Sequence, residues 1–276
     1  MSIKIMEWNI NQRLNYSRKD MPEWIAEAIS KTNADLIALV EVYKGNNWED
    51  VKKAAFNSNY AVFETSNKYA NQNEVVIAVN INKLDVLHAK TYFPDKSGIP
   101  DYLEVKCKDK KSKKEFTFIG ARIHALVSDE IKMKEFSHIL NVSENNDTVI
   151  ICGDFNNNRC GFSEDGRWHI TKIDEMLKTY NFSRKTPNGS SIYQEKCNNI
   201  DYEFAEDHFL LKGIAQESFT LLPYDRSFIT YDKSIYKWGN DFQIYLGRDD
   251  FGKNLYQSIP APFPDHAILT CELEIK

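Results

Sequence analysis

Residues 148–156 read TVIICGDFN, an apolar run of strand length that ends on two oxygen-bearing side chains, Asp154 and Asn156. Thr148 to Cys152 has the β-branched, apolar texture of a buried strand. Asp154 and Asn156 stand two residues apart, so an extended backbone would turn both to the same side. A carboxylate there can orient a water while the neighbouring amide holds an anion. The same ending recurs upstream: the strand-like IKIMEW of residues 3–8 is followed by Asn9, and DLIALV of residues 35–40 by Glu41. Loops beyond such strand ends are where α/β proteins commonly place their sites.

Alternation over residues 3–9 predicts the first strand. Trp24, Ile25, Ala28 and Ile29 at helical spacing predict a helix over 21–32, with Pro22 in its first turn. A strand over 35–42, a short helix over 48–56 and a strand over 60–64 continue the alternation. From Glu74 the texture changes, and EVVIAVN, LDVLHAKTYF, YLEVKC and EFTFIGARIHA read as an antiparallel meander. A helix over 129–142, the strand 148–152 and a helix over 170–180 restore the αβ pattern. Further strands are expected over 191–193, 200–206 and 267–275. Two αβ-rich portions flanking antiparallel strands imply two packed sheets with helices on their outer faces. No repeat or linker divides the 276 residues, so one domain over 1–276 is expected.

Hydrophobic residues make up 42% and charged residues 27% of the chain, as in an ordinary globular protein. A net charge of −5 argues against a surface that holds nucleic acid electrostatically throughout, although bound cations can supply positive charge locally. The start, MSIKIMEWNINQR, lacks the features of a signal peptide, and no run approaches the ~20 apolar residues of a membrane span. The five cysteines are odd in number and form no CxxC pair, which fits reduced structural thiols and a cytoplasmic protein. Nothing in the sequence specifies an oligomeric state.

Hard oxygen ligands at strand ends suit Mg²⁺, Mn²⁺ or Ca²⁺ better than zinc. Asp265 and His266, in PFPDHAILT, precede the last expected strand, and His124 ends FTFIGARI. Asp201, in NIDYEF, is a carboxylate on an otherwise apolar face and needs a partner such as histidine, while Glu74 could orient a second imidazole. Taken in order, Asn9, Glu41, Glu74, His124, GDFN, Asp201 and Asp265-His266 resemble the endonuclease/exonuclease/phosphatase superfamily over nearly the whole chain. The resemblance implies an α+β fold, a four-layer αββα sandwich of two mainly antiparallel sheets with outer helices. It also implies hydrolysis of a phosphate ester with a divalent cation. Having His124 where abasic-site endonucleases carry a tyrosine looks more like pancreatic-type deoxyribonucleases and sphingomyelinases, which use two histidines.

Carried over to this sequence, the resemblance makes Glu41 a metal ligand with Asn9 and Asp265 near it. Asp154 and Asn156 would join that set and contact the attacking water and phosphoryl oxygens. His266 paired with Asp201, and His124 paired with Glu74, would serve as general base, general acid or phosphate donors. The implied substrate is nucleic acid; a nucleotide, inositol phosphate or lipid headgroup is the alternative. A binding module without catalysis is disfavoured, because no expected catalytic position is replaced. The lysine-rich KCKDKKSKK of residues 106–114 reads as a hairpin tip, either solvated or phosphate-contacting. The aromatic stretch 219–263 either packs a long excursion or stacks bases, and Arg122 and Arg159 are possible phosphate ligands. His138, His169 and His208 have no constellation around them and read as structural.

Overall fold

In the chain's computed structural model, β1 (Ile3–Asn9), α1 (Glu23–Thr32), β2 (Leu36–Val42), α2 (Trp48–Ala55) and β3 (Tyr60–Glu64) follow the alternation of the N-terminal part. The meander forms β4 (Glu74–Asn80), β5 (Leu84–Tyr92), β6 (Asp101–Asp109) and β7 (Glu115–Arg122). Beyond it come α3 (Asp129–Val142), β8 (Val149–Asp154), α4 (Ile170–Thr179), β9 (Ser183–Lys185), β10 (Asp207–Lys212) and β11 (Phe219–Leu221). The hairpin β12 (Phe242–Arg248) and β13 (Asn254–Ile259) precedes the last strand, β14 (Leu269–Leu273). The structure describes residues 2–10, 20–42, 44–65, 74–92, 98–157, 168–192, 205–228, 242–248, 250–259 and 264–275.

Two six-stranded sheets result, in the orders β11-β14-β1-β2-β4-β3 and β5-β6-β7-β8-β10-β9. Each holds one parallel pair, β1 with β2 and β7 with β8; its other pairings are antiparallel. Successive side chains of a strand face opposite ways, and the sequence uses both faces. Ile5, Ala38, Ile77, Val105, Phe118, Ile150 and Phe209 fill the space between the sheets. Met6, Ile37 and Leu39 point outward to meet Ile25 and Ile29 of α1 and Val51 of α2. Ile119 and Ile151 do the same on the second sheet with Phe136 and Ile139 of α3 and Leu177 of α4. The result is the expected αββα sandwich, and each fully buried large side chain in it contributes about 1.5–3 kcal/mol.

This topology brings polar strand ends to one rim. The parallel strands finish there with Asn9, Val42, Arg122 and Asp154. Their antiparallel neighbours begin there, Asp101 opposite Arg122, Asp207 opposite Asp154 and Glu74 opposite Val42. The lysine-rich tip lies at the other end of β7, about 23 Å away along a strand that rises roughly 3.3 Å per residue. Asp109 closes that turn by accepting the backbone N–H groups of Lys111 and Ser112, each at 3.1 Å. Lys106 pairs with Glu115 at 2.9 Å and Lys110 with Asp85 at 3.4 Å. The solvated reading of this run is therefore the one its placement supports. The strand expected over 200–206 falls mostly outside the described residues, and the observed strand in this region is β10, starting at Asp207. Among the described residues no helix is long and apolar enough to cross a membrane.

Candidate active site

Gly153 sets the approach to the site. Its φ is 151°, and a Cβ there would fall 1.7 Å from the backbone oxygen of Ala121 on β7, so only glycine fits. Asp154 follows, buried at 1% exposure. Its carboxylate accepts the Asn9 side-chain amide at 2.9 Å, the Asn156 backbone N–H at 2.8 Å and the Asn156 side-chain amide at 3.0 Å. The two GDFN side chains do meet, but not along an extended backbone: Asn156 has φ 44°, a left-handed turn that folds it back over Asp154. Phe155 between them packs edge-on against Phe136 at 5.5 Å and stacks on His208 at 5.8 Å. Lys132 of α3 donates to the Asn156 carbonyl at 2.9 Å.

His266 is fixed by Asp207. Its Nδ1 lies 2.8 Å from the Asp207 carboxylate, and the Trp8 indole N–H donates to its carbonyl at 3.0 Å. Asp207 makes the contact with His266 that was expected of Asp201, a residue outside the described ones. The reason is register: β10 begins at Asp207, directly opposite Asp154, which carries its carboxylate to the rim. In the sequence, EDHFLLK shows a carboxylate at the head of an apolar run, the signal that IDYEF obscured. Although burial works against a charged imidazole, Asp207, with Asp265 and Asp154, holds His266 protonated well above the usual histidine range. The Asp265 carboxylate stands 3.9 Å from His266 Nε2.

His124 likewise has a partner other than the one expected. Its backbone N–H and its Nδ1 meet the two Glu135 oxygens at 3.0 and 2.5 Å, and its Nε2 lies 3.5 Å from Asp101. Glu135 stands on the inward face of α3 beside Phe136, 1% exposed, and α3 returns over the end of β7. A carboxylate on the apolar face of an expected helix was the available signal. Glu74 begins β4 in the opposite sheet and is engaged instead by Lys44, at 2.5 Å, which also binds Glu64 at 2.6 Å. Burial opposes charge on His124, but Glu135 and Asp101 overcome it and raise its pKa.

Glu41 occupies a bulge where the register of β2 with β4 shifts between Leu39 and Val42, and its φ is 53°. A left-handed glutamate is strained, and such strain concentrates at functional sites. Its carboxylate crosses to the second sheet and accepts Arg122 Nε at 2.5 Å, while Arg122 Nη1 is 3.5 Å from Asp101. Glu7 lies beneath the rim, fully buried, with neither carboxylate oxygen hydrogen-bonded, and one Asp207 oxygen is also unpartnered. Burial, reinforced by Asp207, pushes Glu7 well up. Burial also pushes Asp154 up to about 7, with His266 pulling down and Asp207 pushing up.

Asn9, Glu41, Asp154 and Asp265 supply oxygen only, and orphaned carboxylate oxygens lie below them. Such a surplus of buried carboxylate oxygen donors fits a hard divalent cation. Among the described residues, no three acidic, histidine or cysteine side chains already form a ready cage. The donor chemistry fits; the guanidinium of Arg122 stands among the donors.

The two mixed six-stranded sheets with outer helices match the fold of solved endonuclease/exonuclease/phosphatase family structures. A family protein of that name from Bacteroides thetaiotaomicron superposes with a TM-score of 0.60 at 13% identity, covering 99% of this chain and 98% of its own. A mannosyl-6-phosphatase from Bacteroides thetaiotaomicron gives 0.63 at 13% identity, over 99% of this chain and 100% of its own. D. rerio TDP2, in complex with a single-strand DNA product, gives 0.59 at 12% identity over 99% of both chains. No protein-family model and no curated protein matches the sequence.

Proposed function

We propose that this chain is a divalent-cation-dependent phosphodiesterase that cleaves nucleic acid by in-line attack of water. The observation that carries the proposal is the arrangement at the rim: a carboxylate held by three amide hydrogen bonds, Asp154, beside a histidine fixed by a buried aspartate. Asn9, Glu41, Asp154 and Asp265 would hold the cation, with Asn156 adjoining, and Mg²⁺ or Mn²⁺ suits that set. When bound, the cation supplies charge stabilisation to the phosphoryl oxygens and the leaving group.

Asp154 orients the attacking water and accepts its proton. Asn9 and Asn156 fix that carboxylate, so its direction does not depend on the substrate. Asp207 holds Nδ1 of His266, which leaves Nε2 to carry a proton toward the leaving oxygen. His124, held by Glu135, donates from the other side of the rim to a phosphoryl oxygen. Positioned proton transfer of this kind contributes roughly 10²–10⁴-fold. Solvent oxygen-18 is expected in the released phosphate group after one turnover, and its absence would count against direct water attack.

Support for a nucleic-acid substrate comes from the likeness to TDP2 with its DNA product. A small phosphate ester is the second reading, favoured by the placement of the lysine-rich tip at the far end of β7 and by the likeness to a sugar phosphatase. The test is a Mg²⁺ and Mn²⁺ screen across plasmid DNA, single-stranded DNA, RNA, nucleotides, inositol phosphates and sphingomyelin. Nicked plasmid with inert small esters supports the first reading, and the reverse supports the second.

A further inference from the structure

Glu41 is built to hold a cation, yet an arginine already holds it. The bulge and left-handed φ of 53° aim this carboxylate across the gap between the sheets. There it meets Arg122 Nε at 2.5 Å, both side chains being at most 10% exposed. In the register of the second sheet Arg122 lies between Asp101 on β6 and Asp154 on β8. One guanidinium therefore neutralises the carboxylate that a divalent cation needs, and it lies next to the residue assigned to the attacking water. Arginine does not lose its proton in proteins, so the positive charge can leave Glu41 only if the side chain moves.

We propose that Arg122 is an internal competitor for the cation: a divalent ion takes Glu41 only by displacing the guanidinium, which then turns to the phosphoryl oxygens of the substrate. This deepens the proposed function and rests on its placing of the cation at Glu41. Arginine suits the second duty because its planar fork matches phosphate oxygens. Cation and phosphoryl group then bind cooperatively, each strengthening the other by the same factor, as linkage requires. Breaking a buried ion pair without replacement is costly, so the guanidinium leaves Glu41 only as the ion takes its place, and the phosphoryl group then gives the freed guanidinium a new partner.

Mn²⁺ binding, followed by the paramagnetic signal of the free ion, is the direct test, with sulfate as the phosphoryl probe. For Arg122→Gln, Mn²⁺ is expected to bind about tenfold tighter than to wild type in the absence of sulfate. Sulfate should tighten Mn²⁺ binding to wild type and leave the variant unchanged. Equal or weaker Mn²⁺ binding by the variant overturns the inference. Because the variant leaves Glu41 and Asp101 without their counter-charge, the wild-type protein gives a second readout. The hydrogen-bonded Nε–H of Arg122, assigned by comparison with Arg122→Lys, should be protected from exchange in EDTA and lose protection on saturation with Mg²⁺. Protection that persists in the Mg²⁺-saturated protein overturns the inference while leaving cation-dependent hydrolysis intact. Failure of wild type and variant alike to bind Mn²⁺ overturns both.

Discussion

Replacing Asp207 by asparagine tests the core of the site and separates two assignments of the histidine's partner. Asp207 is fully buried, its Oδ2 is 2.8 Å from His266 Nδ1, and His266 is 5% exposed. Asparagine keeps the volume but removes the charge that holds the imidazole protonated. Losing positioned acid catalysis costs roughly 10²–10⁴-fold in kcat, about 2.7–5.4 kcal/mol at 1.36 kcal/mol per decade. KM should move little, since Asp207 lies behind the imidazole rather than against the substrate. The sign of the pH effect follows from the pair. Asp207 raises the His266 pKa, so the protonated donor persists to higher pH in wild type, and the alkaline limb of kcat/KM should shift to lower pH in Asp207→Asn. Steady-state hydrolysis of a chromogenic phosphodiester from pH 5 to 9 gives both quantities. If Asp207→Asn retains activity within about threefold while Asp201→Asn loses it, the dyad assigned here is wrong.

Other consequences are independent of that one. Gly153→Ala should cost about 3 kcal/mol or more in urea unfolding, because the added carbon meets the Ala121 backbone rather than a movable side chain; a loss under about 1 kcal/mol would show that β7 and β8 can part. Burial of His208, between Thr186 and Asn157, lowers its pKa to about 3. Below an ordinary value near 6.5 the unfolded chain binds a proton that the folded one excludes. Between pH 7 and pH 5 wild type should therefore lose about 2 kcal/mol more than His208→Gln, measured by urea titration, and parallel losses would contradict the neutral buried ring. Neutralising Lys110, Lys111 and Lys113 together should leave nucleic-acid affinity and its salt dependence unchanged within about twofold, and a clearly flatter salt slope would return the tip to the substrate path.

The architecture was legible because the strands that lead to the site, β1, β2 and β8, are buried on both faces and end sharply. IKIMEWN, DLIALVEV and TVIICGD each place a polar group just past a buried run, and the observed strands end there. Asn9, Asp154 and Asn156 were found by that rule and His266 by the Pro-Asp-His turn before the last strand, and the structure brings them to one rim. Its failures share a cause: partners of the histidines come from elsewhere in the chain, and sequence spacing does not carry spatial pairing. Glu135 lies on the inward face of α3, and nothing in its spacing from His124 announces that the two meet. Asp207 was passed over because IDYEF, a few residues earlier, offered an aspartate of similar texture. Arg122 was noticed as a phosphate ligand, but its hold on Glu41 depends on a bulge that no local pattern announces. Glu7 had no signal at all beyond its place in an alternating strand, where an inward-facing glutamate breaks the pattern.

The central claim is phosphodiester hydrolysis by this rim, and bis(p-nitrophenyl) phosphate with Mn²⁺ tests it most directly, with Asp154→Ala and an EDTA-treated sample alongside. Wild type should turn the diester over at a rate that falls by about 10²-fold or more in Asp154→Ala and vanishes with EDTA. Equal rates in wild type and Asp154→Ala, or a wild-type protein inert toward the diester at every cation concentration, would contradict it.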